Sequence, residues 1–227
     1  MAFKPVSHVL FDLDGLLIDS EKIYTKSFEI VCGKYGKVFT WELNSTILGT
    51  QGHECADKII KVLDLPVTRE QFMNECQKIN EKLFSNVQLM PGADKLVSHL
   101  HEKGIPIALA TSSSEDSVNK KMKDHKQFLN KFHHLTMGSS DPEVTKGKPD
   151  PAIFLVCSSR FNDKPKPEKC LVFEDAVNGV KAARAANMQV VAVPDPRIDK
   201  QQLSIATLVL DSLEDFKPEL FGLPAYD

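Results

Sequence analysis

Short runs of consecutive apolar residues recur along the chain and lack polar alternation. They occupy residues 6–11, 105–110, 170–173 and 189–193, with His134–Met137 as a weaker fifth run. Such runs are typical of strands that are buried on both faces of a parallel sheet. Helical periodicity lies between them, at residues 93–103, 151–160 and 177–186. Strands that alternate with helices predict an α/β fold with a doubly wound, Rossmann-like parallel sheet.

The strand pattern is absent from about Ser20 to Met90. Three helical stretches fill this region, at residues 21–35, 54–64 and 69–84, and Thr68 is a start signal for the last of them. Ordinary connections between a strand and a helix are far shorter than this region. We therefore expect a helical cap of residues 20–90, inserted after the first strand of an α/β core of residues 1–19 and 91–227. A single larger α/β domain with extra helices is the alternative.

The composition excludes several classes of protein. The 227 residues are 42% hydrophobic and carry a net charge of −3, whereas a general nucleic-acid binder is usually basic. No apolar run reaches the roughly 18 residues of a membrane span, and acidic residues follow too soon for a signal peptide, so no membrane partner and a cytoplasmic location are expected. The five cysteines include no CxxC pair, which favours free thiols. A monomer is the default expectation.

Polar motifs directly follow the first two predicted strands. Asp12 and Asp14 stand two residues apart, and this spacing in an extended chain puts both carboxylates on one side. Such a pair can divide the roles of nucleophile and general acid or base. The Thr-Ser-Ser-Ser run at residues 111–114 offers hydroxyls and free N–H groups, which bind phosphate well. Taken alone, the first motif also fits a plain turn, and the second fits a plain helix cap.

Charged residues occupy two later positions of the same kind. Lys148 stands just before a helix start, where a compact positive charge can balance phosphate and carboxylate, although alone it also fits a surface lysine. Glu174 and Asp175 follow the strand of residues 170–173. Adjacent acids at the end of a buried strand are costly unless a cation lies between them. Oxygen ligands with a phosphate co-ligand indicate Mg²⁺.

The four motifs, in this order and each beside a predicted strand or helix start, make the chain resemble the haloacid-dehalogenase-like hydrolase superfamily. The helical insertion looks like the cap of that family, and the resemblance covers essentially the whole chain. The stretches FDLDGLLIDSE, GKPDPAIFL and EKCLVFEDAVNGV are most similar to a subgroup that hydrolyses a uridine-like nucleoside 5′-monophosphate. The resemblance implies a Mg²⁺-dependent phosphomonoesterase that acts on a small phosphorylated metabolite.

The resemblance also implies a role for each matched residue. Asp12 would attack phosphorus and form an aspartyl-phosphate, while Asp14 would protonate the leaving alcohol and then activate water. Thr111 would hydrogen-bond the transferring phosphoryl group, and Lys148 would neutralise it and hold Asp12. Phosphoryl transfer needs positioning and charge neutralisation more than covalent chemistry, and this set of residues agrees with that need.

The metal and substrate contacts follow in the same way. Mg²⁺ would be held by Asp12, the backbone carbonyl of Asp14, and Asp175, with Glu174 nearby or acting through water. Gly15 and Ser112 would contact the phosphate, and Gln51 and His53 of the loop at residues 49–53 would contact the rest of the substrate. Their amide and imidazole groups suit the edge of a uracil-like base. The loop has no Arg or Lys, so a second phosphate finds no partner there.

A sugar-phosphate phosphatase of the same superfamily is an alternative with a different substrate, and three further functions fit part of this pattern. A sugar phosphomutase of the same fold carries a His twelve residues after the nucleophile and an Arg in the insertion loop, where Tyr24 and Gly52 stand here. A haloacid dehalogenase is metal-free and has no use for Asp14. A receiver-type switch also uses Asp, Thr or Ser, and Lys around Mg²⁺, but it is shorter and has no helical insertion.

Other prominent residues receive a structural interpretation. The lysines at positions 120, 121, 123, 126 and 131 are interpreted as a solvated helix face. His133 and His134 are expected to be structural or surface residues, and Trp41 is expected in the core of the insertion.

Overall fold

The computed structural model describes residues 3–84 and 87–227, and a six-stranded parallel sheet forms its centre. The strand order is β3-β2-β1-β4-β5-β6, and neighbouring strands pair in parallel. The strands are β1 (His8–Phe11), β2 (Ile107–Thr111), β3 (His134–Met137), β4 (Cys170–Glu174), β5 (Gln189–Ala192) and β6 (Leu208–Val209). The predicted doubly wound sheet is therefore confirmed, and the structure adds β6, which is only two residues long and left no readable pattern.

Strand β1, which lies inside the sheet, shows why the predicted strands are continuous apolar runs. Every residue of β1 is buried, because one face of the sheet packs under one layer of helices and the other face under a second layer. Phe11 stacks on Phe173 of the neighbouring β4 on one face, with ring centroids 4.9 Å apart. Leu10 and Val172 face the opposite cluster. A strand covered on both faces needs apolar side chains at consecutive positions.

Helices cover both faces of the sheet. They are α5 (Ala93–Glu102), α6 (Glu115–Lys121), α7 (Lys126–Leu129), α8 (Ala152–Ser159) and α9 (Val177–Ala185). The apolar residues of α5 and α6 join one buried cluster, and those of α8 and α9 join the other. The start of α8 differs slightly from the prediction: Pro151 is its N-cap, and the Asp150 carboxylate accepts a hydrogen bond from the Ala152 N–H at 3.0 Å.

Among the described residues, four α-helices lie between β1 and α5, and we call residues 20–90 the helical insertion. They are α1 (Glu21–Lys34), α2 (Trp41–Ser45), α3 (Gly52–Leu63) and α4 (Arg69–Leu83). The insertion has a hydrophobic cluster of its own, around Val31, Ile59 and Phe72. Thr68 begins α4 through a capping box with Gln71. This separate cluster supports the division into a cap and an α/β core, which we keep as a proposal.

Trp41 does not lie in the insertion's own cluster, so that prediction is wrong. Its ring packs against the apolar cluster under α8 and α9, and the Arg197 guanidinium lies over the ring at 3.8 Å from the centroid. The large ring instead covers apolar surface where the insertion meets the sheet layer.

Within the described ranges, no helix combines the length and apolar character needed to cross a membrane.

Candidate active site

Asp12 lies directly beyond the carboxyl end of β1 and is buried. Its backbone N–H donates to the Phe173 carbonyl at 3.0 Å, which fixes the residue against β4. The Lys148 ammonium donates to Asp12 Oδ1 at 2.6 Å. Burial raises the pKa of the Asp12 carboxyl to about 7, although the Lys148 charge acts in the opposite direction. The ionisation of this carboxylate therefore depends on positive charge close to it.

Lys148 is fully buried and joins carboxylates from two adjacent strand ends. Its Nζ donates to Asp12 Oδ1 at 2.6 Å and to Glu174 Oε1 at 2.5 Å, and it lies 3.4 Å from the Ala110 carbonyl oxygen. Burial alone would lower the pKa of Lys148, but the charges of Asp12 and Glu174 outweigh burial and raise this pKa above its ordinary value. Lys148 is therefore a charged bridge inside the protein and not the surface lysine that its motif alone also allowed.

Glu174 and Asp175 lie side by side at the end of β4. Glu174 Oε2 accepts hydrogen bonds from the backbone N–H groups of Asp175 and Ala176, at 3.1 and 3.3 Å. Because Lys148 takes the other oxygen, both oxygens of Glu174 are engaged. Burial raises the pKa of Asp175 well above its ordinary value, and the charges of Glu174 and Asp12 add to this effect.

The three acids form a cluster of the right kind for a metal ion. One oxygen from each of Asp12, Glu174 and Asp175 lies within 4.8 Å of the others. Lys148 pairs with the first two acids, so the cluster holds more negative than positive charge. Buried carboxylates in such excess are costly unless a further cation offsets them, and hard oxygen donors suit Mg²⁺. The residues present therefore fit the metal site that the motifs predicted.

Asp14 is held by a different set of partners from those of Asp12. The Lys121 ammonium donates to both of its carboxylate oxygens at 2.6 Å. The Ser20 and Ser113 hydroxyls add hydrogen bonds of 2.5 and 2.8 Å. Burial would raise the pKa of Asp14, but the Lys121 charge and these hydrogen bonds outweigh burial and lower it. Asp14 is therefore an ionised carboxylate, anchored at the edge of the site.

Lys121 is the site residue that the sequence analysis missed. The run of lysines was interpreted as a solvated helix face, which is right for the exposed Lys123 and Lys126 and wrong for Lys121. Lys121 is 1% exposed, and its ammonium lies 5.5 Å from the centroid of the Tyr24 ring. The buried Val118, three residues earlier on α6, was the one available signal that position 121 faces inward.

The predicted phosphate-binding residues gather at the same edge of the sheet. Thr111 ends β2, and its Oγ1 accepts a hydrogen bond from the Ser113 N–H at 3.1 Å. The Ser112 hydroxyl donates to the Gly49 carbonyl at 3.0 Å, which ties this loop to the helical insertion. Gly15 has a φ of 78°, and a methyl group at this position would collide with the Asp175 carboxylate. Only glycine allows that close approach.

A cavity of about 480 Å³ separates these strand ends from the helical insertion. Asp12, Asp14, Thr111 and Ser112 line its core side. The insertion lines the other side with mainly aromatic and apolar residues: Tyr24, Phe28, Ile47, Leu48, Phe72, Cys76, Asn80 and Phe84 among others. The volume is in the range of small-molecule sites. The arrangement can hold a compact anion at the strand ends and an apolar, planar group against the insertion.

The two insertion residues that were predicted to contact substrate lie in different surroundings. Gln51 is the N-cap of α3, and its side chain donates to the Gly138 carbonyl at 3.3 Å. It is buried and does not line the cavity, so its position gives no support to the predicted contact. His53 is exposed at the edge of the cavity, and its contact with substrate stays a prediction.

Comparisons with known proteins agree with this geometry. The haloacid dehalogenase-like hydrolase family matches residues 9–193. A probable pseudouridine-5′-phosphatase of Drosophila melanogaster is 47% identical over 98% of this chain and 96% of its own length. The mitochondrial (DL)-glycerol-3-phosphatase 1 of Arabidopsis thaliana is 43% identical over 97% of this chain and 75% of its own. A solved β-phosphoglucomutase from Clostridium difficile has the same fold, with a TM-score of 0.80, 24% identity and 94% of each chain covered.

The contact between α9 and Glu174 yields a stability prediction. Gly179 lies against the Glu174 carboxylate, and an added methyl group would overlap it. Gly179→Ala is expected to lower the free energy of unfolding by about 1–3 kcal/mol, the usual cost of overpacking. The matched control is Gly33→Ala in α1, where an added methyl group meets nothing within 4 Å. Urea denaturation measures both variants, and equal effects would contradict the tight packing around Glu174.

The ion pair between Lys121 and Asp14 yields a second prediction. Lys121→Met leaves a largely buried carboxylate without its cation and should lower the free energy of unfolding at pH 7 by about 3 kcal/mol. Lys120→Met is the control, since this neighbouring side chain is 36% exposed and its loss should cost less than about 1 kcal/mol. If the two variants have the same stability, Lys121 is not the anchor of Asp14.

Proposed function

This chain belongs to the haloacid dehalogenase-like hydrolase family, and we propose from this that it is a Mg²⁺-dependent phosphomonoesterase. It hydrolyses a small phosphorylated metabolite through an aspartyl-phosphate formed on Asp12. The observation that carries the proposal is the buried bridge of Lys148 between Asp12 and Glu174, of which Asp12 lines a cavity of small-molecule size. A receiver-type switch only accepts a phosphoryl group and does not need a general acid and base. The second carboxylate, Asp14, therefore favours an enzyme over such a switch.

In the proposed first step, the Asp12 carboxylate attacks phosphorus. The new bond joins Asp12 to the phosphoryl group, and the bond from phosphorus to the substrate's alcohol oxygen breaks. Lys148 holds one oxygen of Asp12 in place and offsets the charge of the phosphoryl group. The Thr111 hydroxyl and the N–H groups that follow β2 orient the phosphoryl oxygens. Positioning and charge stabilisation of this kind supply most of the catalysis in phosphoryl transfer.

Asp14 serves as the general acid and then as the general base. It protonates the leaving alcohol oxygen. In the second step it removes a proton from a water molecule whose oxygen attacks phosphorus, the bond between Asp12 and phosphorus breaks, and inorganic phosphate leaves. Lys121 keeps the pKa of Asp14 low in the substrate-free site. An ionised Asp14 has no proton to give, so it first takes up a proton from solvent when substrate binds. This uptake requires Asp14 to exchange some of its contacts with Lys121 and Ser113 for contacts with the substrate. Lys121 is accordingly a positioning residue for the acid.

We assign the metal to Asp12, Asp175 and the backbone carbonyl of Asp14. Both carboxylate oxygens of Glu174 already accept hydrogen bonds, one from Lys148 and the other from backbone N–H groups. This supports a contact between Glu174 and the metal through a water molecule instead of direct coordination. When bound, Mg²⁺ supplies positive charge that offsets the phosphoryl group and the clustered acids. Gly15 lets the loop approach Asp175 closely enough for the acids to share one ion.

We propose pseudouridine 5′-monophosphate as the substrate. The 47% identity with a probable pseudouridine-5′-phosphatase over nearly the full length of both chains supports this choice. The aromatic wall of the cavity, with Tyr24, Phe28, Phe72 and Phe84, also suits a nucleoside better than a short polyol. Glycerol 3-phosphate is the second candidate, because the plant relative that is 43% identical carries that name.

Hydrolysis is preferred to phosphoryl relocation by a mutase. Tyr24 stands at the position of the mutase's proton-accepting His, and burial raises the pKa of the Tyr24 hydroxyl above its ordinary value. A phenol of this kind is a poor proton acceptor at neutral pH. Gly52 offers no charge to a second phosphate. Water is therefore the acceptor for the aspartyl-phosphate.

A cytoplasmic location and a monomeric state stay predictions. The five cysteines are free and buried in the structure, which supports a reducing compartment. Size-exclusion chromatography with light scattering measures the oligomeric state directly.

Loss of the nucleophile is the first activity prediction. Asp12→Asn should lose more than about 99% of kcat, a change of about 2.7 kcal/mol, because an amide does not form the acyl-phosphate. Phosphate release from pseudouridine 5′-monophosphate and from p-nitrophenyl phosphate measures the effect. Asp124→Asn, at an exposed position away from the cavity, is the control and should keep wild-type activity. Residual activity above that limit in a folded Asp12→Asn protein contradicts covalent catalysis through Asp12.

Metal removal is the second activity prediction. Chelator should abolish phosphate release, Mg²⁺ should restore it, and Ca²⁺ should not, because Ca²⁺ takes more ligands at longer distances and spoils the geometry of attack. Asp175→Asn should raise the Mg²⁺ concentration needed for half-maximal activity. Full activity in excess chelator would overturn the assignment of the acid cluster.

A further inference from the structure

Asn80 presents an unused hydrogen-bonding group at the cavity wall. It lies on α4, is 9% exposed and lines the cavity. Among the described residues, its Oδ1 is the single buried side-chain oxygen or nitrogen atom that has no hydrogen-bond partner. A buried acceptor without a partner costs about 1–3 kcal/mol. Buried polar groups are almost always paired, so an exception beside a cavity points to a partner that arrives with the ligand.

The surroundings of Asn80 on the cavity side of α4 are mainly apolar and aromatic. Its polar neighbours there, Gln77 and Glu81, already hydrogen-bond each other at 3.1 Å. Phe72 and Cys76 precede it on the same face of α4, and Phe84 follows one turn later. The Tyr24 and Phe84 rings lie 5.5 Å apart at 76°. Asn44, another carboxamide on the cavity wall, already donates to the Thr25 hydroxyl at 3.1 Å. The Asn80 carboxamide is therefore a polar spot on an aromatic wall.

We infer that Asn80 is a specificity-determining residue that hydrogen-bonds the polar edge of a planar base on the substrate. This inference rests on the proposed function. A uracil-type ring presents an N3–H donor between two carbonyl acceptors. A carboxamide presents an acceptor and a donor side by side. Oδ1 is covered in the substrate-free protein, so the carboxamide turns about its χ2 bond on binding; Oδ1 then accepts from N3–H while Nδ2 donates to a neighbouring carbonyl. The aromatic side chains pack against the ring faces and keep the contact dry.

The energetic consequence is selectivity for the base. A site that is built around a buried hydrogen bond rejects analogues that lack the matching group, because the protein's polar atom then stays unpaired. A short polyol phosphate can reach the strand ends but does not fill the aromatic wall. Asn80 therefore favours nucleoside monophosphates over glycerol 3-phosphate.

The experiment pairs one change in the protein with one change in the substrate. Wild-type protein and Asn80→Leu are assayed with pseudouridine 5′-monophosphate and with its N3-methyl derivative, which lacks the N3–H donor. Wild-type protein should prefer the unmethylated substrate at least tenfold in kcat/KM, and Asn80→Leu should show a preference below twofold. The same preference in both proteins overturns the inference, since the coupling between the two groups is then absent.

Two controls separate recognition from a structural role. Asn80→Leu should melt at the same or a higher temperature, because it removes an unpaired polar atom. Asn74→Leu makes the same change on the exposed face of α4 and should alter neither substrate preference nor kcat/KM. A lowered melting temperature contradicts the inference. Asn80→Asp keeps an acceptor for N3–H and removes only the donor, so it should keep a preference for the unmethylated substrate, whereas Asn80→Leu should not.

Failure of the proposed function gives a different result. If wild-type protein releases phosphate from p-nitrophenyl phosphate but from neither nucleotide, the substrate proposal is wrong and the base contact falls with it. If it hydrolyses neither nucleotide nor p-nitrophenyl phosphate, the phosphatase proposal is wrong. A loss of selectivity in Asn80→Leu with both nucleotides accepted by wild-type protein supports both proposals.

Discussion

The charge of Lys148 is the constraint on which the rest of the site depends. Parallel strands bring Asp12, Glu174 and Asp175 to one edge of the sheet, where burial opposes their ionisation. Lys148 pairs with two of them through contacts of 2.5–2.6 Å, and the remaining excess of negative charge calls for a cation or is relieved by protonation. The same buried bridge orients the Asp12 carboxylate. Lys148 therefore serves both the charge balance of the site and the orientation of the carboxylate that we propose as the nucleophile.

The helical insertion completes the site from the other side. It contributes Ser20 to the anchor of Asp14, and its loop carbonyls at Gly49 and Leu48 accept hydrogen bonds from Ser112 and Asn178 of the sheet layer. Its inner face offers aromatic surface to the cavity, and Glu81 of α4 pairs with Lys120 of α6 at the boundary. In the proposed function, the strand ends bind the phosphoryl group and the insertion binds the rest of the substrate.

The sequence was most informative where burial is uniform. Strands covered on both faces read as continuous apolar runs, and the carboxyl ends of parallel strands meet, so the positions of Asp12 and Glu174 could be predicted together. Lys121 was missed, because a lysine within a run of lysines resembles its solvated neighbours. Apart from Val118 three residues earlier, only the packing of α6 against Asp14 and Tyr24 reveals that Lys121 is buried.

Similar reasoning explains the remaining differences in the insertion. Trp41 is as compatible with one apolar cluster as with another, and its neighbour Arg197 is far away in the chain. The Gln51 side chain is suited to a ligand by chemistry, but capping α3 and binding the Gly138 carbonyl use it. Asn80 lies among apolar residues at helical spacing. That its side-chain oxygen is buried without a hydrogen-bond partner can be seen only in the folded structure. The surroundings of these three residues are formed by contacts between distant segments of the chain. The hydrophobic pattern of a single segment does not contain that information.

The central claim, that Asp12 carries the phosphoryl group, is tested most directly by trapping the intermediate. Protein mixed with substrate is quenched rapidly with borohydride, which reduces an aspartyl-phosphate to homoserine, and the peptide that contains β1 is sequenced by mass spectrometry. The account predicts homoserine at position 12 and unmodified aspartate at position 14, with no homoserine when substrate is omitted. Homoserine at position 14, or none anywhere during full turnover with the same quench, would contradict it.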